Sequence, residues 1–549
     1  MTQAASPAPL KVIHVCSVAP FQEPTLSTLV PTSLPLTFFD LLWLRFPPVQ
    51  RLFFYHFPHP TSSFLHSLLP SLKLSLSRTL QHFLPFSGTL TWPSHSPKPI
   101  VNYLPGDTVS FTVAESDLNF NHLCSHLCEA SQRNDLAPHL ANSHDKASLL
   151  AVQVTLFPNA GFLSLTLQHF LPFSGTLTWP SHSPKPIVNY LPGDTVSFTV
   201  AESDLNFNHL CSHLCEASQR HHLAPHLANS HDKASLLAVQ VTHFPNAGFC
   251  IGVTTHHAAF DGKSSSMFIK AWAYICSNLQ NPTTPTPTPS LPHHLTPIFD
   301  RSLIRDPSGL AELYAEQWMN HNGSNNRSLK VWESLTATPS DGLKGLFELT
   351  PSQIQKLKQY GNSKVKVAVH LSTFSVTCAY VLACWVKANQ VKDENVLCIF
   401  SVDCRTRLDP PIPATYFGNC VKGEYVVALT KELIGKDGFI CALERIVEAL
   451  NRVKEEGVLN GAEKWVSSMH DPGEGRIIST AGSPLFEVYS IDFGWGRPKK
   501  VDMLSTDKTG AFSLSERRDI SGGIEIGLLL SKSEMEDFTS LFLQGLDSL

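Results

Sequence analysis

The sequence predicts an α/β protein of two domains, each mixing strands and helices. Three observations predict it. Strand-like and helix-like segments occur together on both sides of one Pro-rich stretch, "QNPTTPTPTPSLPHHLTP". That stretch carries six prolines between Asn281 and Pro297, which forbids regular structure and marks a linker. The chain has 549 residues, 42% of them hydrophobic and 16% charged, enough for a sizeable core and more than one domain. The expected division is 1–280 for the first domain, 281–330 for the crossover and 331–549 for the second.

The elements follow in order. "LKVIHVCSVAPF" reads as a strand, and "LPLTFFDLLWLRF" is an apolar, Pro-punctuated segment. "RLFFYHF" alternates weakly and reads as a strand; "SFLHSLLPSLKLSLSRTLQHF" has helical spacing despite one proline. "IVNYL", "TVSFTV" and "SLLAVQVTHF" read as strands, and "LNFNHLCSHLCEAS" as a helix. "MFIKAWAYICSNL" is helical and runs into the linker. Beyond the linker come helices "SQIQKLKQY" and "LSTFSVTCAYVLACWVKAN", strand "ENVLCIFSVDC" and helix "FICALERIVEALNRVKEE". Strands "FEVYSIDF" and "IEIGLLLS" complete the second domain.

Residues 76–162 and 163–249 repeat each other at an offset of 87. Only Arg78/Leu165, Asn134/His221, Asp135/His222 and Leu156/His243 differ. Solenoid units are shorter, more degenerate and at least about three in number. Two long, near-identical copies read instead as a recent tandem duplication or a sequence-assembly error, with either copy surplus. Without one copy the chain has 462 residues. Deleting 76–162 should then leave activity intact.

The formal charge is −5 and no Lys/Arg run forms a basic stripe, so nucleic acid is not an expected partner. No apolar run is long enough to span a bilayer. The first residues show no basic region followed by an apolar run, and thirteen cysteines read as reduced thiols. A cytosolic protein is expected, whose sequons at Asn322 and Asn326 stay unmodified. "NHLCSHLCE" (His122, Cys124, His126 and Cys128, and again His209 to Cys215) resembles a metal knot. On a helix His122 and His126 would face about 160° away from Cys124 and Cys128, so no metal is expected.

Chemistry concentrates in "GFCIGVTTHHAAFDGKSSS". An apolar strand ends in His256 and His257, and His257-x-x-x-Asp261 is followed by Gly262. A histidine at a strand end in a Gly-flanked turn can present a ring nitrogen to a cleft and act as a base near neutral pH. No GxSxG nucleophile elbow accompanies it. A second motif, "SIDFGWGRPKK", holds Asp492, Phe493, Gly494, Trp495 and Gly496, and alone reads as a Gly-kinked strand exit with an aromatic plug.

Together "HHAAFDG" and "DFGWG" resemble the BAHD acyltransferases of plants, which transfer acyl groups from coenzyme A thioesters. "LPLTFFDLLWL", "HFLPFSGTL", "HLSTFSVTCAYV", "VDCRTRL" and "SERRDISGGIEIG" are similar to family segments, in family order. "TYFGNC" is similar to the branch that malonylates phenolic, flavonoid and anthocyanin glucosides. The resemblance implies two similar chloramphenicol-acetyltransferase-like domains with a channel between them. It implies a monomer with no bound cofactor, using malonyl-CoA as co-substrate and a glycosylated phenolic acceptor. His257 is the expected base, and Asp492 completes the signature, more as scaffold than as proton acceptor. Asp261 is expected to turn from the channel and pair with Arg405 or Arg407, holding the His loop with Gly262. Phe493, Gly494 and Gly496 should support the site, and the Trp495 indole N–H is a candidate oxyanion donor. Ser372 and Thr373 either meet the pantetheine arm or cap a helix, and His256 is a neighbour of the base. Which Arg would take the malonyl carboxylate is left open. Competing readings are a hydroxycinnamoyl donor, a peptide-synthetase condensation domain, and an inactive or misfolded product of the duplication.

Overall fold

A computed structural model describes residues 10–116 and 247–548, apart from 22–32, 60, 93–95, 104–106, 281–289, 322, 324–325, 333, 337, 366–370 and 471–473. Between 117 and 246 it describes short strands alone.

Two large sheets carry the molecule. At the centre of the first lies Gly248–Thr255, every residue buried, paired antiparallel with Val49–His56 on one side and Ala238–Phe244 on the other. Burial on both faces explains why "GFCIGVTT" reads as a continuous apolar run rather than an alternating one. Val109–Ser116 lies parallel to Ala238–Phe244, and Leu10–Val18 pairs with it antiparallel. Helices Leu69–Leu80 and Gly262–Gln280 pack together beside the sheet, where Trp272 Nε1 donates to Leu72 O at 3.1 Å and Ser75 Oγ at 2.9 Å. Pro70 is accommodated at the start of its helix, after the π-turn Phe64–Leu68.

The second sheet runs Leu343–Leu349, Ile524–Leu530, Ala511–Glu516, Arg476–Ala481, Asn395–Asp403, Val421–Leu429. Its central helix Thr373–Ala388 buries 13 of 16 residues, so it is apolar all round. Helices Gly438–Glu455 and Lys532–Asp547 flank it. One strand of the second half, Lys500–Met503, pairs with Val49–His56 and forms the edge of the first sheet. The sequence division at 281–330 therefore does not separate the sheets cleanly.

Two expected elements differ. "FEVYSIDF" forms 3₁₀ turns, Pro484–Phe486 and Val488–Ser490, not a strand. Side chains hold its backbone in place of a ladder: Tyr489 N donates to Glu516 Oε1 at 2.7 Å, and Tyr55 Oη donates to Ile491 O at 3.0 Å. Of the helix expected over "LNFNHLCSHLCEAS" only the "LCE" triplets lie within the described residues, and they form strands Leu127–Glu129 and Leu214–Glu216, because an open sheet edge offers their backbone a ladder. His122, Cys124 and His126, and their counterparts His209, Cys211 and His213, lie outside the described residues.

The repeat meets the fold at these strands. Leu127–Glu129 and Leu214–Glu216 pair with the same residues, Leu343–Gly345, in the same register. Ala114 and its counterpart Ala201 likewise share Thr242 as partner. The other edge of Leu343–Leu349 is taken by Ile524–Leu530. One edge accommodates one partner, so equivalent segments of the two copies are alternative occupants of one position. The sheet beside His257 joins Val109–Ser116 of copy 1 to Ala238–Phe244 of copy 2, while Leu150–Leu156 of copy 1 holds single pairs at Glu115↔Leu156 and Thr255↔Leu150.

Candidate active site

The buried strand Gly248–Thr255 delivers His256 and His257 into a turn, and helix Gly262–Gln280 starts five residues later. Asp261 starts that helix: its Oδ1 accepts from Ser264 N at 2.9 Å, the N-cap arrangement. Its Oδ2 accepts from Cys420 N at 3.0 Å and meets Arg405 Nη2 at 2.8 Å. Both carboxylate oxygens are thus engaged away from the His257 ring. Arg405, 1% exposed, also donates to Ser264 Oγ, Tyr416 O and Gly418 O, each at 3.2 Å, and to Asp403 Oδ1 at 3.1 Å. Arg407 does not join: its Nη1 donates to Asp403 O at 2.7 Å. Gly262 is tight because a Cβ there would stand 3.0 Å from the Phe486 ring and 3.2 Å from Arg51 Nη2.

His257 is half-buried and held from both halves of the chain. Its ring stacks on Trp43 at 4.4 Å and 13°, with the Phe46 ring edge-on at 6.2 Å. Its carbonyl accepts from Asn419 Nδ2 at 2.8 Å. Asn419 in turn donates its N and Nδ2 to Asp40 Oδ1, both at 3.0 Å. The other Asp40 oxygen accepts from Thr37 N and Oγ1 at 2.9 and 2.8 Å, a capping box on the short helix Phe38–Leu42 that ends at Trp43. Among the described residues His257 Nδ1 has no hydrogen-bond partner. Burial lowers the His257 pKa below its ordinary 6.5, and Arg51 adds to this; Asp261 and Asn419 oppose it. His256 is fully buried, its Nδ1 accepts from Ala258 N at 3.2 Å, and burial pushes its pKa down to about 3. Both rings are therefore neutral at pH 7.

The sequence singled out neither Trp43 and Phe46 nor the Asp40–Asn419 link. Thr37-x-x-Asp40 was a readable cap signal. The pairing of Asp40 with Asn419, 379 residues away, has no periodic signature.

The second motif lies elsewhere. Trp495 packs edge-on against Phe249 at 5.9 Å and Phe57 at 6.5 Å. Phe249 opens the strand whose far end leads to His257, about 20 Å away at ~3.3 Å per residue over Phe249–Thr255. The expected oxyanion role of Trp495 is corrected: the indole plugs the opposite end of the strand. Asp492 Oδ1 accepts from Gly494 N at 2.7 Å and Gly496 N at 2.9 Å, closing a turn rather than handling a proton. Gly494 and Gly496 have φ of 102° and 93°, where side chains are strained. Phe493, fully buried, meets Trp272 at 4.8 Å and Tyr55 at 5.8 Å. Ser372 caps helix Thr373–Ala388 by accepting from Ser375 N at 3.0 Å, and Thr373 is its first residue. Among the described residues no group of His, Cys, Asp or Glu is arranged to hold a metal, and no helix is long and apolar enough to cross a membrane.

The model of the family described as "Transferase family" matches residues 22–163 and 162–543, breaking at the seam between the two copies. Malonyl-CoA:anthocyanidin 5-O-glucoside-6''-O-malonyltransferase of Arabidopsis thaliana is 35% identical over 97% of this chain and 98% of that protein. Phenolic glucoside malonyltransferase 2 of the same plant is 35% identical over 98% of this chain and 100% of its own length. The crystal structure of vinorine synthase shares the fold, with a TM-score of 0.53 and 16% identity over 97% of this chain and 98% of that one. With the His257 turn and the DFGWG plug both in place, the chain belongs to the transferase family of BAHD acyltransferases.

Proposed function

We propose that the protein moves a malonyl group from malonyl-CoA to a sugar hydroxyl of a phenolic, flavonoid or anthocyanin glucoside. The two plant malonyltransferases support the donor and the acceptor class. The observation that carries the chemistry is the setting of His257, a neutral ring stacked on Trp43 while the Asp261 carboxylate is spent on Arg405.

A sugar hydroxyl attacks a thioester poorly until its proton is taken. His257 takes that proton as the oxygen bonds to the malonyl carbonyl. The tetrahedral intermediate collapses by breaking the C–S bond. The leaving thiolate, with a pKa near the ~8.5 of a cysteine, recovers the proton from His257. No covalent enzyme intermediate and no resident cofactor are needed. Asp261 and Arg405 are positioning residues that hold the His loop. Asp492, Phe493, Gly494, Trp495 and Gly496 fasten the second half to the first sheet. Part of this reading is a monomer in the cytosol, without nucleic-acid or membrane partners; buried free thiols at Cys378 and Cys398 support a reducing compartment.

The test is incubation of the purified protein with quercetin glucoside and either malonyl-CoA or coumaroyl-CoA, followed by mass spectrometry. A malonylated glucoside is expected, and its loss in His257→Ala. A coumaroyl product without a malonyl one would replace this reading by hydroxycinnamoyl transfer.

A further inference from the structure

A cleft of about 340 Å3 opens beside the aromatic wall of His257, lined by Arg45, His321, Asn326, Ser328, Lys330 and Trp332, with Val331. Arg45 is 4% exposed. It donates to three backbone carbonyls, those of Trp318 and Ser328 at 3.2 Å and of Asn326 at 3.1 Å, and lies 5.2 Å over the Trp318 ring. Among the described residues no carboxylate meets it. Carbonyl dipoles solvate the guanidinium but leave its charge uncompensated, and a buried cation calls for an anion. Lys330 stands exposed at the rim, also without an acidic partner among the described residues. The Trp332 ring lies 5.5 Å from Phe46, and Phe46 lies 6.2 Å from the His257 ring. The indole is therefore within about 12 Å of the base, a distance that a hexose and one aromatic ring cover end to end.

We infer that this cleft receives an acidic group carried by the aglycone of the acceptor, so that glucosides of phenolic acids are preferred over neutral ones. The inference rests on the glucoside-acylating reading above. It places the sugar hydroxyl at His257, the aglycone ring against Trp332, and its carboxylate between Arg45 and Lys330. The malonyl carboxylate does not fit this role, because a single methylene separates it from the reacting carbonyl and Phe46 stands in between. With Arg45 Nε and Nη2 spent on the three carbonyls, Nη1 is the nitrogen left to give the carboxylate a charge-assisted hydrogen bond.

The test compares kcat/KM for 4-carboxyphenyl and phenyl β-glucoside with malonyl-CoA and the full chain. A preference of about tenfold for the carboxylated acceptor is expected, the size of one charge-assisted hydrogen bond. Arg45→Met and Lys330→Glu should each abolish that preference. Arg45 also ties down the crossover, so Lys330→Glu, on an exposed side chain, keeps the test valid if Arg45→Met does not fold. Equal kcat/KM for the two acceptors overturns the inference. So does a Lys330→Glu variant that keeps the preference and instead raises KM for malonyl-CoA, which would assign the cations to the donor's phosphates. If neither glucoside is malonylated, the acyl-transfer reading fails on its own, and Trp fluorescence titration of the two free glucosides decides the subsite. About tenfold tighter binding of the carboxylated one supports it, and equal binding overturns it.

Discussion

Replacing Arg405 by methionine isolates what holds the His257 loop. The change removes the bond to Asp261, the bond to Asp403 and the three bonds to Ser264, Tyr416 and Gly418. Asp261 is 4% exposed and Arg405 1%, so water screens the pair little. Removing one member of a buried ion pair costs about 3–5 kcal/mol. Asp261 keeps the N–H groups of Ser264 and Cys420, which places the expected loss at the lower end, about 3 kcal/mol. At about 2 cal/mol/K of unfolding entropy per residue, that lowers the Tm by roughly 3–6 °C, depending on whether the whole chain or one half unfolds as a unit. Calorimetry on Arg405→Met, Asp261→Asn and the double variant measures it, with an expected coupling of about 1–3 kcal/mol. kcat should fall in step with the displaced loop. A Tm within about 1 °C of the parent for Arg405→Met, with coupling under about 0.5 kcal/mol, would refute the reasoning. So would an Asp261→Asn variant that melts like the parent yet loses kcat by orders of magnitude, since that is the behaviour of a catalytic dyad.

Gly418→Ala should cost about 2–3 kcal/mol by overpacking, because its Cβ would fall 1.8 Å from Arg301 Nη1, which is fixed by Tyr416 Oη and Phe417 O at 2.8 Å. A thermal melt matching the parent would count against it. The acid limb of the kcat/KM profile should be centred below pH 6.5, because burial lowers the His257 pKa and the neutral ring is the active form; an acid limb centred above 6.5 contradicts the buried setting. Deleting 117–203 restores a 462-residue chain and removes Leu127–Glu129, one of the two rival occupants of Leu343–Gly345, leaving Leu214–Glu216. Soluble yield should rise with turnover at least maintained, and loss of turnover would show that both copies are needed.

The elements nearest the base were legible because burial writes itself into composition. Gly248–Thr255 is buried on both faces and reads as an unbroken apolar run, whereas helix Gly262–Gln280 was read only from Met267 onward and begins five residues earlier, where Asp261 caps it. That Asp261 faces an arginine came from the family resemblance, and the choice of Arg405 over Arg407 needed the fold. Failures occurred where a distant partner decides. "FEVYSIDF" has strand-like alternation, but Glu516 and Tyr55 hold it in turns. The "LCE" triplets look helical until the edge of Leu343–Leu349 is offered. Trp495 shares a signature with the base, and a signature carries no distance. The Asp40–Asn419 link spans 379 residues, beyond any local pattern.

The strand Lys500–Met503 sets a clock on biosynthesis. Val49–His56, with Leu52, Phe53, Phe54 and Tyr55 fully buried in the finished protein, has Lys500–Met503 as its neighbour on one edge. About 440 residues must leave the ribosome between the two strands, on the order of 20–90 s at about 5–20 residues per second. Throughout that interval a hydrophobic edge of the first sheet is open to other nascent chains. The duplicated segment lengthens the wait by 87 residues, roughly a fifth of the total at any such elongation rate. Sequence far from the His257 turn thus bears on how long chaperones must guard that edge.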